Sequence, residues 1–298
     1  MNGMFDWNDL RYFLAIARDG STTAAAATLK VNQSTVQRRL AALEEAIGRK
    51  LVERHPAGYR LTQFGREMLA SAEAVEVSVA AFDRAVKSRD TELSGTVRLT
   101  CSETELYHLL TPSLERFRVL YPDLRVEFVM TGKRLDLSRG EADIALRGGT
   151  PGDHNLIGRK ISDVPWNIYA SRGYVARCGK PARPEEIAQH AVIAYEGQLG
   201  DSPPARWFHS YTADANIAAR CNTLLSALAA AKAGVGLALL PHHIGQPEDD
   251  LVRMLELPAE LKQPITLLVH PDLRNVPRVR AVFDFLVGEI DRLRPLLS

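Results

Sequence analysis

Apolar residues recur at helical spacing in three short segments near the start of the chain and then in one long one. Over residues 6–19, Leu10, Phe13, Leu14 and Ala17 share a face, and Gly20 supplies a C-terminal stop. Ser21 or Thr22 caps a second helix, whose run of alanines at 24–27 combines high helix propensity with side chains small enough for close packing. A third helix opens at Asn32, buries Val36, Leu40, Leu43 and Ile47, and ends at Gly48. Two β-like stretches follow, at 50–53 and 59–61. A long helix is then predicted over 62–88, where Met68, Ala72, Val75, Val79, Phe82 and Val86 step by 4, 3, 4, 3 and 4. Such a heptad seam on a single helix packs against its own copy in a second subunit; packing on a neighbouring domain is the alternative. The sequence TELSG at 91–95 reads as a hinge.

Beyond residue 95 the pattern alternates between strands and helices. TVRLTC is a strand, 104–120 a helix, LRVEFVM a strand, 135–140 a helix and ADIALRGG a strand, which implies a mostly parallel sheet. A second α/β lobe starts with a strand at 164–170, continues through a strand at 191–195, and includes a helix at 223–233 running into a strand at 235–240. A strand at 265–269 and a closing helix at 278–293 return to the first lobe. The expected plan is a winged helix-turn-helix over 1–66, a linker helix for dimerisation over 62–89, and an effector-binding α/β domain over 95–298. Lobe I of that domain takes 95–161 and 267–298, and lobe II takes 162–266.

The third helix carries chemistry that no core requires. Gln33, Ser34, Thr35, Gln37 and Arg38 crowd its first turns on the polar face. The second helix of a helix-turn-helix presents its N-terminal residues to the major groove, where amides, hydroxyls and a guanidinium read base edges. Arg54, His55 and Arg60, with Gly58 and Tyr59 at the turn, lie where a wing would meet phosphates or the minor groove. An ordinary helical bundle with a solvated polar face is the competing reading. Through Arg66 the segment holds ten Lys/Arg against six Asp/Glu, a balance of +4 on a chain whose total is +1, so the remainder is −3. That split fits a nucleic-acid-binding domain joined to a domain with another task.

Composition narrows the alternatives. The chain is 298 residues long, 46% hydrophobic and 24% charged, as expected for two or three globular domains. Asp6 and Asp9 stand where a secretory signal needs basic and apolar residues, so a cytoplasmic location is expected. The apolar stretch 224–240 is interrupted by Lys232, Gly234 and Gly236 and followed by Pro241, which makes it a buried helix and strand rather than a membrane span. Cys101, Cys178 and Cys221 form no C-x-x-C pair, which fits a reducing compartment, and Cys101 reads as a small buried residue rather than a redox switch. No G-x-S-x-G, phosphate-loop or H-E-x-x-H motif occurs; the adjacent His242 and His243 diverge on any regular element. Neither catalysis nor a metal or cofactor is expected. A solute-binding or enzymatic α/β protein with an accessory helical domain is the runner-up.

In order and in residues the chain resembles the LysR-type transcriptional regulators over essentially its whole length. The N-terminal match rests on Asp9, Leu10, Phe13, Gly20, Ser21, Ala25, Ala26, Leu29, Gln33, Val36, Leu43, Glu44, Gly48, Leu51, Arg54, Leu61, Thr62 and Gly65. The C-terminal match rests on YPDLRVEF, ADIALRGG and AAAKAGVGLALLP, and it looks like a two-lobed effector domain similar to periplasmic binding proteins. Gln37 stands where the family usually has Ser, which alters operator preference; Val52 stands where Phe is usual and affects packing only. The resemblance implies a bacterial, homo-oligomeric, ligand-responsive regulator. It further implies an interrupted, partly palindromic promoter site, often a tetramer of two dimers, and RNA polymerase as a partner.

The effector site follows from the rule that ligands in open α/β sheets bind beyond the carboxyl ends of strands, where helix N-termini offer free N–H groups. Four segments qualify: Cys101, Ser102, Glu103 and Thr104 after the first strand; Thr131 after the second; Arg147 after the third; and Asn222 with Thr223 at the lobe II helix. The resemblance implies a ligand in the interlobe cleft contacted by the first two and the last. Their hydroxyls and backbone donors suit a small organic acid or another anionic metabolite, with Glu103 opposing a negative charge unless Arg147 compensates. Simple capping by Ser102, Thr104 and Thr223, and pairing of Arg147 with Asp143 or Glu141, are the structural alternatives.

Overall fold

The computed structural model describes residues 5–56, 58–89, 91–131, 134–149, 155–212 and 214–297. The chain divides into two compact units, Met1–Asp83 and Arg84–Ser298.

In the first unit a 3₁₀ turn, Trp7–Asp9, leads into α1 (Leu10–Asp19), followed by α2 (Thr22–Leu29), α3 (Gln33–Ile47), β1 (Val52–His55), β2 (Gly58–Leu61) and α4 (Gln63–Lys87). The Ser21 hydroxyl accepts from Ala24 N–H at 3.0 Å and Gly48 closes α3 in the left-handed region, as the sequence indicates, while Asn32 holds the N-cap position of α3 without a side-chain cap bond. Phe13, Leu14, Ile16, Val36 and Leu43 form the centre of one core, which the N-terminal part of α4 completes through Phe64, Leu69 and Ala72. Ala72 is therefore a core residue, 4% exposed, and not a seam residue. The other heptad positions stay open to solvent, most of all Phe82 at 74%. α1 is tied to α4 by Arg18, whose guanidinium donates to both oxygens of Glu76 at 2.9 and 2.6 Å.

The second unit contains β3 (Gly95–Thr100), α5 (Glu103–Glu105), α6 (Leu114–Leu120), β4 (Leu124–Phe128), β5 (Ile144–Gly148), β6 (Ile157–Val164), β7 (Trp166–Ser171) and α7 (Arg172–Cys178). It continues with β8 (Val192–Tyr195), α8 (Gly197–Gly200), α9 (Pro203–Ser210), β9 (Ile217–Cys221), α10 (Leu224–Lys232), β10 (Leu237–Pro241), α11 (His242–Gly245), β11 (Leu251–Glu256), β12 (Gln263–Val269) and α12 (Pro277–Leu297). Two five-stranded sheets result, ordered β4-β3-β5-β12-β6 and β11-β7-β10-β8-β9, each with its own core. The chain passes from the first sheet to the second at Pro165 and returns between β11 and β12. The first sheet thus takes in all of β6 and β12, a few residues beyond the expected limits at 161 and 267.

Several expectations need correction. β3 pairs in parallel with β4 and β5, as the alternation of those three strands implies, but the complete sheets are mixed: β12 runs antiparallel to β5 and β6, and β7 antiparallel to β10 and β11. The helix expected at 104–120 is broken into α5, a π segment Leu106–Leu110, a 3₁₀ turn Thr111–Ser113 and α6. Pro112 is the cause, because its ring crowds the carbonyl four residues back and it has no N–H to donate. The wider π turn relieves the crowding: the Thr111 N–H bonds to Leu106 O, and the Thr111 hydroxyl donates to the same carbonyl at 2.9 Å. The helix expected at 135–140 is only a 3₁₀ turn, Leu137–Arg139, capped by Asp136 and stopped by left-handed Gly140.

Candidate functional site

The candidate DNA interface is built on α3. Its buried face anchors it, and Gln33, Ser34, Gln37 and Arg38 are exposed on the opposite side, with Thr35 half-buried. Gln33 is held from behind, its amide donating to the hydroxyl of buried Thr22 on α2 at 3.0 Å. Arg38 makes no side-chain hydrogen bond or ion pair with a described residue, whereas its neighbour Arg39 is bound to Asp6 and Asp9 at 3.3 and 3.2 Å. Adjacent arginines thus divide into one that is available and one that fastens α3 to the first turn.

The hairpin β1–β2 pairs Arg54 with Tyr59 and His55 with Gly58. Arg54 Nε donates to the Tyr59 hydroxyl at 3.3 Å, and Arg60 is exposed on the second strand. Gly58 has φ of 127°, and a Cβ there would lie 2.4 Å from the carbonyl oxygen of Gly20, so glycine alone lets the wing approach the end of α1. The contact is fixed by the Tyr59 N–H bonding to Gly20 O at 2.8 Å.

Glu44 is a functional support that sequence reasoning missed. Buried on α3, it accepts from the N–H groups of Leu51 and Val52 at 2.9 and 3.2 Å and pairs with Lys50 at 2.6 Å. One carboxylate therefore satisfies two backbone donors at the start of the wing and sets its angle to the recognition helix. The signal in the sequence was an acid on the apolar face of α3, one residue from Leu43.

The candidate effector residues lie at the ends of β3, β4 and β5 and at the start of α10. Ser102 caps α5 in a capping box: its hydroxyl accepts from Glu105 N–H at 3.1 Å, and Glu105 accepts from Ser102 N–H at 3.0 Å. The Ser102 and Thr104 hydroxyls lie 3.0 Å apart, so one of their two protons bridges them and the other remains to be donated. Thr223 caps α10 by accepting from Ser226 N–H at 3.1 Å, and its hydroxyl lies 2.7 Å from that of Ser226. Ser102 and Thr223 are caps and Thr104, inside α5, is not; a hydroxyl proton is left at each helix start. The structure brings two of the four segments close together, since α5 lies against α10.

Glu103, Thr131 and Asn222 are exposed. Arg147 sits in β5 opposite Thr266, and its guanidinium donates to Leu135 O. Burial, helped by the charges of Glu105 and Glu103, pushes the Cys101 thiol up to about 12, so it is a thiol rather than a thiolate at neutral pH. Glu105, which sequence reasoning passed over despite the S-x-x-E spacing, is 8% exposed. Burial raises its carboxyl to about 7 against the opposing effect of the Ser102 hydrogen bonds. Among the described residues no group of His, Cys, Asp or Glu is arranged to hold a metal ion, and no helix is long and apolar enough to cross a membrane.

Residues 7–66 match the family described as the bacterial regulatory helix-turn-helix protein, lysR family, and residues 90–291 match the LysR substrate binding domain. The Mau operon transcriptional activator of Paracoccus denitrificans is 29% identical over 93% of this chain and 94% of its own. A putative transcriptional regulator of Pseudomonas aeruginosa is 32% identical over 84% of each chain. The full-length structure of the Vibrio cholerae virulence activator AphB superposes with a TM-score of 0.63 at 22% identity, covering 95% of this chain and 99% of that one.

Proposed function

The chain belongs to the LysR-type transcriptional regulators, and from that membership we propose which of its residues read DNA and which answer the effector. Regulators of this family bind promoter DNA, respond to small molecules and form oligomers; the chain is accordingly a DNA-binding transcription regulator and not an enzyme.

In the proposed reading, Gln33, Ser34, Thr35, Gln37 and Arg38 enter the major groove. Arg54, His55 and Arg60 contact the backbone or minor groove beside it. The observation that carries this is the division of labour on α3: Arg39 is committed to Asp6 and Asp9, while Arg38 and Gln37 stand exposed. A free guanidinium and amide at adjacent positions suit bidentate contacts to guanine and adenine edges. Two copies joined through Val75, Val79, Phe82 and Val86 of α4 read paired half-sites, and two such dimers make a tetramer.

The effector is a small organic acid. It binds between the lobes, accepting hydrogen bonds from the hydroxyls of Ser102, Thr131 and Thr223, with Thr104 donating to Ser102 behind it and Cys101, Glu103, Arg147 and Asn222 around it. It favours one arrangement of the lobes, the oligomer's geometry follows, and the spacing of recognition helices and the bending of the promoter change with it. RNA polymerase then meets a differently shaped promoter complex. The regulator acts in the cytoplasm, where the promoter is.

A thermal-shift screen of small organic acids tests the effector half. A ligand that raises the melting temperature of the full chain, and raises it much less in Thr131→Ala/Thr223→Ala, supports the cleft; equal shifts in both proteins overturn it.

A further inference from the structure

A cavity of about 540 Å³ opens in the second unit between the edge strand β6 and the N-terminal half of α12. None of the residues assigned to the effector cleft lines it. Its floor is apolar, with Val269 and Val279 buried and Ile157 and Phe283 half-buried. Its rim carries Arg159, Lys160, Arg274 and Arg280 against the single acid Asp284, four positive charges less one negative, or +3. Asp163, outside the lining, pairs with Lys160 at 2.6 Å. Asp284 is 3.4 Å from Arg280 and is already counted. The Arg274 side chain makes no hydrogen bond or ion pair with a described residue.

The two halves of this lining select a ligand class. A hydrated inorganic anion gains nothing from a floor of valine and phenylalanine and loses water on approaching it. A neutral apolar molecule covers the floor but leaves the rim charge unanswered. A molecule with a hydrocarbon body and one carboxylate satisfies both, and the volume falls within the range of small-molecule pockets. We propose that this cavity is a second small-molecule site, separate from the interlobe cleft, for an amphipathic organic anion such as an aromatic or branched aliphatic carboxylate. Its carboxylate is received by Arg274 with Arg280, and its body lies on Val269, Val279 and Phe283. The site is placed to influence the lobes, because β6 continues through the single residue Pro165 into β7, the first strand of the second sheet. A ligand that packs β6 against α12 therefore acts on one of the two strands that carry the chain between lobes.

The test uses the full chain and 3-phenylpropionate as the probe, with binding followed by ligand-observed NMR. Saturable binding is expected, weakened by about tenfold or more in Arg274→Gln/Arg280→Gln, as the loss of charge-assisted hydrogen bonds requires. Both side chains are exposed, so the fold is retained. Thr131→Ala/Thr223→Ala should leave this binding unchanged, which separates the site from the cleft and its fate from that of the cleft assignment. Neither 3-phenylpropanol nor inorganic phosphate should displace the probe at equal concentration. Absence of saturable binding, loss of binding in the cleft variant alone, or displacement by phosphate would each overturn the proposal.

Discussion

At the scale of single residues, the chain separates groups that hold the structure from groups left to act. Arg38 and Gln37 are in the second class. Arg38→Ala should weaken binding to a cognate duplex by about 1–3 kcal/mol and relax preference at one base pair, measured by fluorescence anisotropy across single-base variants. A uniform loss at every sequence would make Arg38 a phosphate contact instead. Glu105 is in the first class, and its titration has a definite sign. Its carboxyl is raised from 4.5 to about 7 in the fold, so its stabilising contribution is complete below pH 4.5 and is lost as the pH rises through 7. The loss is on the order of 3 kcal/mol. Urea unfolding of Glu105→Gln, which keeps an acceptor for Ser102 N–H but cannot ionise, should show a smaller fall in stability between pH 5 and pH 8 than the wild type. An identical pH profile would mean that Glu105 ionises freely.

At the scale of elements, two contacts decide whether α3, the wing and α4 work as a reader. Glu44→Ala strips two buried N–H groups of their acceptor at once. With each unsatisfied donor costing about 1–3 kcal/mol, the first unit should lose on the order of 2–6 kcal/mol in chemical denaturation, and more than in Lys50→Ala. Comparable losses in the two variants would show that the ion pair, not the backbone donors, is what Glu44 serves. Val79→Asp, at an exposed seam position outside the core, should shift the protein towards monomer in sedimentation while leaving its circular-dichroism spectrum intact. The reader's elements were legible because its glycines and helical periods agree, and the exceptions are Glu44 and Ala72, whose roles depend on residues outside their own helices. The α/β unit was legible only in outline. β6, β9 and β11 went unread, and the pairing of each is broken by a register shift that spoils the period-two pattern by which a strand is recognised. All three are also sheet edges, where charged and small residues interrupt the apolar run. The candidate effector residues were chosen by position, at strand ends and helix starts, and their hydrogen-bonding state was not legible: the Ser102–Thr104 and Thr223–Ser226 hydroxyl pairs arise from backbone turns that no spacing rule specifies.

At the scale of the whole molecule, function rests on a basic N-terminal reader and on the remainder of the chain, which has another task. The first 66 residues carry +4 and the rest −3, which directs DNA to the helix-turn-helix and lets phosphate attraction set a salt-dependent baseline on which base contacts add specificity. A dimer of such readers demands a two-fold site with half-sites about 10 base pairs apart or a multiple of that spacing. Selection of bound sequences from a randomised duplex pool by the full chain tests this most directly. The expected result is enrichment of an inverted repeat with that spacing, lost when Gln33, Gln37 and Arg38 are replaced together by alanine in a protein that still folds and dimerises. Enrichment of the same repeat by the triple variant, or no enrichment by the wild type, would contradict the assignment of α3 as the reading element.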